Sequence, residues 1–147
     1  MEIIRVILKE RMFFMYDKTA ADVAAYIVSK MPNKNISHLK LMRLMYLAER
    51  EGIKNFNHLI IIDDFCSYPD TPTLKNTYDA SKQISLSKHW KDLLIYSNKK
   101  ILLKSNINSS NIRGISRENK ELIKDIISKY GHFSDGELKY YITQECP

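Results

Sequence analysis

The sequence predicts a mainly α domain: a helical core of about five helices with a small antiparallel β element, which makes it α+β by strict count. Three observations predict this fold. Apolar residues recur at helical spacing along several segments. Residues that cap helix N-termini precede those segments. Short β-branched runs are confined to the middle of the chain. Helices at both ends with a small sheet between them are typical of a helical core carrying one antiparallel sheet.

The size and composition of the chain favour a single globular domain. It has 147 residues, of which 44% are hydrophobic and 27% charged. We expect an N-terminal extension over residues 1–18 and the helical domain over residues 19–147. The extension has apolar runs at 3–8 and 12–16, the first too short to span a membrane, and no signal-peptide cleavage site. A short strand or an extra helix covering the core is expected there, and no membrane partner.

The first helix of the domain is predicted to begin at Thr19. Thr19 and Asp22 have the spacing of a capping box, in which the hydroxyl and the carboxylate each accept a hydrogen bond from an unpaired backbone N–H. Apolar residues follow at helical spacing as far as Ile27. Pro32 then ends the helix, because its ring disfavours helical geometry in the preceding residue.

The second helix has the strongest apolar pattern in the chain. Ser37 is a good N-cap, and Gly52 is predicted to supply the left-handed residue that ends the helix. One apolar face and the residues that widen it are Leu41, Leu44, Met45 and Ala48, with Leu39, Met42 and Tyr46. A helix this apolar on two sides is predicted to be central and buried. The run 49–51 (Glu-Arg-Glu) is predicted to return to solvent.

The middle of the chain is predicted to alternate between strands and one short helix. Residues 59–62 are β-branched and apolar and predict a strand, which residues 65–68 continue. Thr73 is predicted to cap a third helix that runs to about Gln83. Residues 89–96 and 100–104 predict two further strands, joined by a turn at 97–99 in which Asn98 tolerates a positive φ.

The C-terminal third is predicted to be a loop followed by two helices. Residues 105–113 are rich in Asn and Ser and predict the loop. Ser116 caps a fourth helix that stops at Gly131, and Ser134 with Glu137 forms a capping box that opens the last helix, to about Gln144. The inner face of the fourth helix is predicted to consist of Leu122, Ile123, Ile126, Ile127 and Tyr130.

The residues that could carry chemistry form no catalytic or metal-binding pattern. They are His38, His58, His89, His132, Cys66 and Cys146, and their spacing matches no zinc site. Asp63 and Asp64 are predicted to be a solvated strand end, and their charges would raise the pKa of the Cys66 thiol, which disfavours a nucleophile. We expect no catalytic residue, no metal site and no cofactor, and expect that the protein is not an enzyme.

Charge and cysteine content bear on partners and compartment. Two cysteines are too few for a disulfide scaffold, which fits a reducing cytoplasm. The net charge of +6 permits nucleic-acid binding, but the lysines are scattered and are typical of a solvated surface. Nine tyrosines against one tryptophan are compatible with a protein interface. A basic nucleic-acid-binding regulatory or phage factor therefore stands as the alternative to a protein-binding module.

Three segments and a short C-terminal stretch resemble Panacea-domain proteins. Residues 40–48 (KLMRLMYLA) match the family's signature helix, Lys-Leu-x-Lys/Arg-Leu-x-Tyr-Leu/Phe-Ala. Residues 68–73 (YPDTPT) are similar to a proline loop that often has the sequence Met-Pro-His-Gly-Pro-Val; both prolines match, and Asp-Thr replaces His-Gly. Residues 129–138 (KYGHFSDGEL) resemble a segment of the form Phe/Tyr-Gly-His/Asp-hydrophobic-Ser-x-x-Glu-Leu. Residues 143–147 are similar to the closing Thr-His-x-x-Pro, with Gln144 in the place of His.

The resemblance implies a function in protein binding. It is to the SocA-like, phage-associated antitoxins of two-gene toxin–antitoxin systems, which neutralise a toxin by direct contact or, in one type, act as a proteolytic adaptor. It therefore implies a cognate toxin as partner, and a protease as a second partner in the adaptor case. A loop beside a strand edge is a suitable place for docking a partner. The predicted partner-binding residues are Tyr68, Pro69, Asp70, Thr71, Pro72 and Thr73.

Overall fold

The computed structural model describes residues 2–67 and 71–145, apart from the side chains of residues 9–16 and 145. The fold is mainly α with a small antiparallel β element, which confirms the predicted fold class. In chain order the elements are α1 (Glu2–Ser29), β1 (Asn35–Ser37), α2 (His38–Phe56), β2 (Phe65–Ser67), β3 (Pro72–Leu74), α3 (Lys75–Lys82), α4 (Lys88–Leu93), β4 (Leu94–Ser97), β5 (Lys100–Leu103), α5 (Arg117–Tyr130) and α6 (Asp135–Tyr140). A π-helical turn, Tyr141–Glu145, follows α6.

The strands form two small antiparallel sheets. One has the strand order β1-β5-β4, and the other consists of β2 and β3 alone. The predicted turn between β4 and β5 is confirmed, since Asn98 and Lys99 both have positive φ (52° and 62°) and Ser97 pairs with Lys100. Strand β1, which pairs with β5, was not predicted. Three residues are too few to show a periodic pattern.

Helix α2 lies at the centre of the core, as predicted. It packs against α1, α5, α6 and β3. Leu41, Leu44, Met45 and Ala48 are completely buried, and residues 20–28 of α1 are buried with them. Leu39 departs from the prediction, because 42% of its surface is exposed at the first turn of the helix.

Helix α1 is longer than predicted. It begins at Glu2 and contains Thr19 in its interior, so the predicted helix start at Thr19 is wrong. Residues 2–29 contain neither Gly nor Pro, and nothing in the local sequence interrupts the helix before Thr19. Residues 3–8 at its N-terminus do not cover the core, since their apolar side chains are exposed. The helix ends at Ser29, shortly before Pro32, as predicted.

The end of α2 also differs from the prediction. The helix continues through Gly52 to Phe56, and Asn57 takes the left-handed conformation that was assigned to Gly52 (φ 49°, ψ 42°). Gly52 instead permits a close approach, because a Cβ atom there would lie 2.6 Å from the carbonyl oxygen of His58. The glycine therefore lets the chain turn back against the helix it has just left.

A buried carboxylate replaces the strand predicted at 59–62. Glu49 is 0% exposed, contrary to the prediction that it returns to solvent. Its carboxylate accepts hydrogen bonds from the backbone N–H groups of Ile60, Ile61 and Ile62 at 2.6–3.2 Å. These are the donors that a strand would use for pairing. Ile62 takes a positive φ of 62°, which is unusual for a β-branched residue and incompatible with a strand.

The N-terminus of α3 is held by Asp63, not by Thr73 as predicted. The residue that precedes α3 is Leu74, which has no side-chain cap. The Asp63 carboxylate accepts from the backbone N–H groups of Asn76 (3.2 Å) and Thr77 (2.7 Å) and from both of their side chains. The interpretation of Asp63 as a solvated strand end is therefore wrong. Along the sequence, the whole β2–β3 hairpin lies between Asp63 and the helix that it caps.

The strand predicted at 89–96 is half helix. Helix α4 occupies Lys88–Leu93, and strand β4 begins at Leu94. Ser87 caps α4 by accepting from the N–H of Trp90, whose side chain is completely buried. The predicted caps of the C-terminal helices are confirmed: Ser116 accepts from Asn119 N–H, and Ser134 forms the capping box with Glu137. Helix α5 stops before Gly131, as predicted.

Candidate functional site

The described part of the predicted binding loop lines a small pocket. Tyr68, Pro69 and Asp70 fall between β2 and β3 and lie outside the described residues. Thr71 and Thr73 are buried, and Pro72 is half-buried. All three line the pocket, together with Leu39, Met42 and Arg43 of α2 and Tyr78 of α3.

The walls of this pocket, which we call the α2–β3 pocket, are largely apolar. Met42 and Tyr78 are buried, and Leu39 is exposed at the rim. About 20 Å³ is open to the centres of water molecules, which is room for roughly one of them. A pocket this small suits a single side-chain group of a protein partner, since sites for drug-sized ligands measure some 300–1,000 Å³.

Two polar groups of the α2–β3 pocket have unused hydrogen-bonding capacity. The hydroxyl of Thr73 is buried and has no hydrogen-bond partner among the described residues. The guanidinium of Arg43 is half-buried and makes one recorded hydrogen bond, from Nη1 to the carbonyl oxygen of Asp135 at 2.9 Å. Burial lowers the pKa of Arg43, but an arginine remains a cation in proteins. The pocket therefore combines one positive charge with one unsatisfied hydroxyl.

Asp135 connects the pocket to the C-terminal helices. The Ser37 hydroxyl donates to the Asp135 carboxylate at 2.8 Å and also accepts from the N–H of Lys40 as the cap of α2. One serine thus joins the N-termini of α2 and α6. The carbonyl oxygen of Asp135 also accepts a hydrogen bond from Arg43. The position of the guanidinium therefore depends on α6 as well as on α2.

The three segments that carry the family resemblance converge at this point. Arg43 comes from the signature helix, Thr71 to Thr73 come from the proline loop, and Asp135 comes from the C-terminal segment. Sequence reasoning treated the second helix as scaffold and missed both Leu39 and Arg43. The available signal was Arg43 itself, a cation that follows the apolar residues Leu41 and Met42 and lies one turn after Leu39.

His38 packs against Tyr78, which is one of the residues that line the α2–β3 pocket. Its Nε2 lies 2.7 Å from the hydroxyl of Ser81, and its ring packs edge-on against Tyr78 and Tyr96 with centroids 5.3 and 5.6 Å apart. The side chain is 3% exposed. Burial, with a smaller contribution from the charge of Lys82, lowers the pKa of His38 from 6.5 to about 4. The histidine is therefore neutral at pH 7.

This pKa predicts an acid-dependent loss of stability. Below pH 6.5 the unfolded chain takes up a proton at His38, whereas the folded chain does so only near pH 4. The unfolded state therefore binds more protons in this window, and the free energy of unfolding falls as the pH is lowered from 6.5 to 4. The total loss from this residue is about 2–3 kcal/mol. Urea denaturation at several pH values would measure it. His38→Gln should flatten the dependence, whereas the exposed His132→Gln should not; equal slopes in all three proteins would contradict the prediction.

The other residues considered for chemistry remain apart. Within residues 2–67 and 71–145, no three His, Cys, Asp or Glu side chains are grouped so that they could hold a metal ion. Burial raises the pKa of the Cys66 thiol, and Asp63, Asp79 and Asp64 raise it further, in the direction expected from the sequence. Cys146 lies outside the described residues. In the described part of the chain, no helix is both long and apolar enough to cross a membrane.

A second exposed apolar surface lies on the N-terminal turns of α1. Its members are Ile3, Ile4, Val6, Ile7 and Leu8, each 45–75% exposed. Contiguous apolar side chains of this kind mark interaction surfaces in many proteins. They lie far along the sequence from the α2–β3 pocket and belong to the predicted N-terminal extension.

The structure thus defines a small helical domain that carries a shallow, side-chain-sized pocket beside a two-stranded hairpin. Residues 41–147 match the family model described as "Antitoxin SocA-like, Panacea domain", which covers well over half of the chain. The protein therefore belongs to the SocA-like Panacea-domain antitoxin family, and the resemblance seen in its sequence is confirmed. No curated protein and no solved structure matches the chain.

Proposed function

We propose that this protein is the antitoxin component of a toxin–antitoxin or prophage system and neutralises a partner toxin by direct binding, without catalysing a reaction. Membership of the family supports an antitoxin-like role. The placement of the site rests on the α2–β3 pocket, which two of the family segments line and to which Arg43 joins the third through its hydrogen bond to Asp135. Leu39 is exposed there, and the Thr73 hydroxyl has no partner among the described residues.

The pocket and the hairpin offer two complementary modes of contact. Leu39 presents apolar surface at the rim, which a partner side chain would cover on docking. Strands β2 and β3 form a sheet of two strands among the described residues, so each has one edge that a strand of the partner could extend. Direct neutralisation requires only that this contact covers the toxin's working surface. In the adaptor alternative, the same contact would deliver the toxin to a protease.

Co-expression of this protein with the product of the adjacent gene tests the proposal. We expect growth to be rescued and the two proteins to co-purify. The amount of toxin separates the two mechanisms, because direct binding leaves it unchanged whereas an adaptor lowers it in a protease-dependent way. Absence of both rescue and co-purification would contradict an antitoxin function. Retention of the chain on DNA that weakens steeply with salt would favour the nucleic-acid alternative, because phosphate contacts release counterions.

A charge placed at the rim of the pocket should abolish the contact. We expect Leu39→Glu to weaken toxin binding by at least about tenfold, because a carboxylate would be desolvated in an apolar contact. The matched control is Leu86→Glu, which introduces the same charge at a leucine that is 80% exposed and outside the pocket. Affinity measured by calorimetry should be unchanged in the control. Equal losses in both variants would place the interface elsewhere.

A further inference from the structure

We propose that the α2–β3 pocket receives a carboxylate side chain, Asp or Glu, of the partner protein, held by the Arg43 guanidinium and the Thr73 hydroxyl. The identity of the carrier as the toxin rests on the function proposed above. The chemistry of the pocket rests only on the residues that line it. Three observations support this chemistry: a buried hydroxyl without a partner among the described residues, a cation that no carboxylate contacts directly, and apolar walls.

The hydroxyl of Thr73 is the first observation. The residue is 4% exposed, and its Oγ1 has no hydrogen-bond partner among the described residues, although it lines a pocket. Buried polar atoms in folded proteins are nearly always paired, and an exception calls for an explanation. A ligand atom that enters the pocket would supply the missing acceptor.

The electrostatic state of Arg43 is the second observation. Arg43 has no carboxylate oxygen within 4 Å among the described residues, although the charge of Asp135 acts on it at longer range. Its hydrogen bond to the carbonyl oxygen of Asp135 uses one of five N–H donors. The carboxylate of Asp135 accepts from the Ser37 hydroxyl and not from the guanidinium. A half-buried guanidinium with donors remaining is suited to a carboxylate, which it binds through charge-assisted hydrogen bonds.

The size and the walls of the pocket favour a carboxylate side chain over a phosphate. Leu39, Met42 and Pro72 would contact the methylene groups of an Asp or Glu side chain, which a phosphate group lacks. One guanidinium balances the single charge of a carboxylate. A phosphate carries more charge and more acceptor oxygens than one guanidinium and one hydroxyl can satisfy. Binding of a nucleic acid at this pocket would require it to accept a phosphate group. Comparing carboxylate with phosphate binding therefore distinguishes a protein partner from a nucleic acid.

Nuclear magnetic resonance of the full chain tests the chemistry without the toxin. The probe is glutamate blocked as its N-acetyl N-methylamide, the matched neutral control is the corresponding glutamine derivative, and the third ligand is inorganic phosphate. We expect the glutamate probe to bind in the millimolar range and to shift the amide signals of residues 39–43 and of Thr71 and Thr73. Equal shifts with the glutamine derivative, no shift at these residues, or tighter binding of phosphate would each overturn the proposal.

Substitution of Thr73 separates binding from a structural role. Thr73→Val keeps the shape of the side chain and removes a hydroxyl without a partner in the described part of the chain, so its melting temperature should be equal to or above that of the wild type. Its affinity for the glutamate probe and for the toxin should be about tenfold weaker, as expected for the loss of a hydrogen bond to a charged group. Thr73→Ser, which retains the hydroxyl, should bind within about threefold of the wild type. A valine variant that binds as well as the wild type would overturn the assignment.

The proposed antitoxin function and the proposed carboxylate site can fail independently of each other. If the neighbouring protein does not bind the chain but the glutamate probe does, the antitoxin function fails and the carboxylate site stands. If the toxin binds and Thr73→Val does not weaken it, the function stands and the carboxylate proposal fails.

Discussion

Replacing Glu49 with alanine is expected to lower the free energy of unfolding by about 3–5 kcal/mol. The carboxylate accepts from three consecutive backbone N–H groups in the interior of the protein. Its removal would leave the amides of the buried Ile60 and Ile61 without partners, whereas that of Ile62 lies nearer the surface. Urea denaturation followed by the fluorescence of Trp90, the chain's single tryptophan, would measure the loss.

Two further variants show whether the acceptors cause this effect. Glu49→Gln retains one acceptor oxygen but turns an amide group toward backbone donors, and we expect it to cost about 2 kcal/mol. Glu51→Ala is the matched control two residues away, where the carboxylate accepts from Asn55 at the surface. It should change stability by less than about 0.5 kcal/mol. A loss below about 1 kcal/mol in Glu49→Ala would show that these hydrogen bonds contribute little.

The effect should reach the proposed binding site. Residues 60–62 lead directly into Asp63, which holds the start of α3, and then into the β2–β3 hairpin. The carboxylate of Glu49 therefore determines where the hairpin leaves the core. At temperatures at which Glu49→Ala remains folded, we expect the amide hydrogens of β2 and β3 to exchange faster than those of α5.

Replacing Trp90 with alanine is expected to lower the free energy of unfolding by a similar amount, about 3–5 kcal/mol. The indole is completely buried and lies beside a small pocket lined by α1, α3 and the segment between α2 and β2. Truncation would enlarge that pocket into a cavity shared by several elements, which cannot all move inward to fill it. Urea denaturation followed by circular dichroism would measure the loss, because the variant has no tryptophan.

The indole nitrogen provides an internal control. Trp90 Nε1 is buried without a hydrogen-bond partner among the described residues. Trp90→Phe removes this unpaired donor and retains most of the apolar contact, so we expect it to cost less than about 2 kcal/mol. Leu86→Ala, at an 80% exposed position in the turn before α4, should change stability by less than about 0.5 kcal/mol. A phenylalanine variant as unstable as the alanine variant would show that the indole N–H does have a partner in the fold.

Three of the seven residues that line the α2–β3 pocket belong to the loop predicted from the sequence, and their role in binding a partner stays a prediction. The loop that contains Thr71, Pro72 and Thr73 was identified by its two prolines and by the family resemblance, and the structure places these residues in the wall of a pocket. Arg43 and Leu39 were not predicted as site residues. A periodic pattern assigns a residue to a helix face, but it does not show which neighbouring element leaves part of that face uncovered.

Features that depend on residues a few positions apart could be predicted from the amino-acid sequence. Ser37, Ser116 and Ser134 cap helices by bonding to N–H groups three residues onward, and Asn98 turns between the strands that flank it. These interactions form within a single turn, so local residue types are enough to predict them. The resemblance of three short segments was likewise sufficient to indicate the family.

Contacts between distant segments of the chain could be found only from the folded structure. Glu49 binds the amides of residues 60–62, Asp63 caps a helix 12 positions onward at Lys75, and Arg43 meets Asp135 from 92 positions away. Sequence patterns assign these polar groups to solvent or give them no role. In the fold, each one pairs with a partner that the packing of α2 brings close to it. Burial makes an unpaired polar group costly, so these partners are decided once the core has formed. The candidate pocket is built from the same kind of contact, and its remaining unpaired groups are the ones that a partner would satisfy.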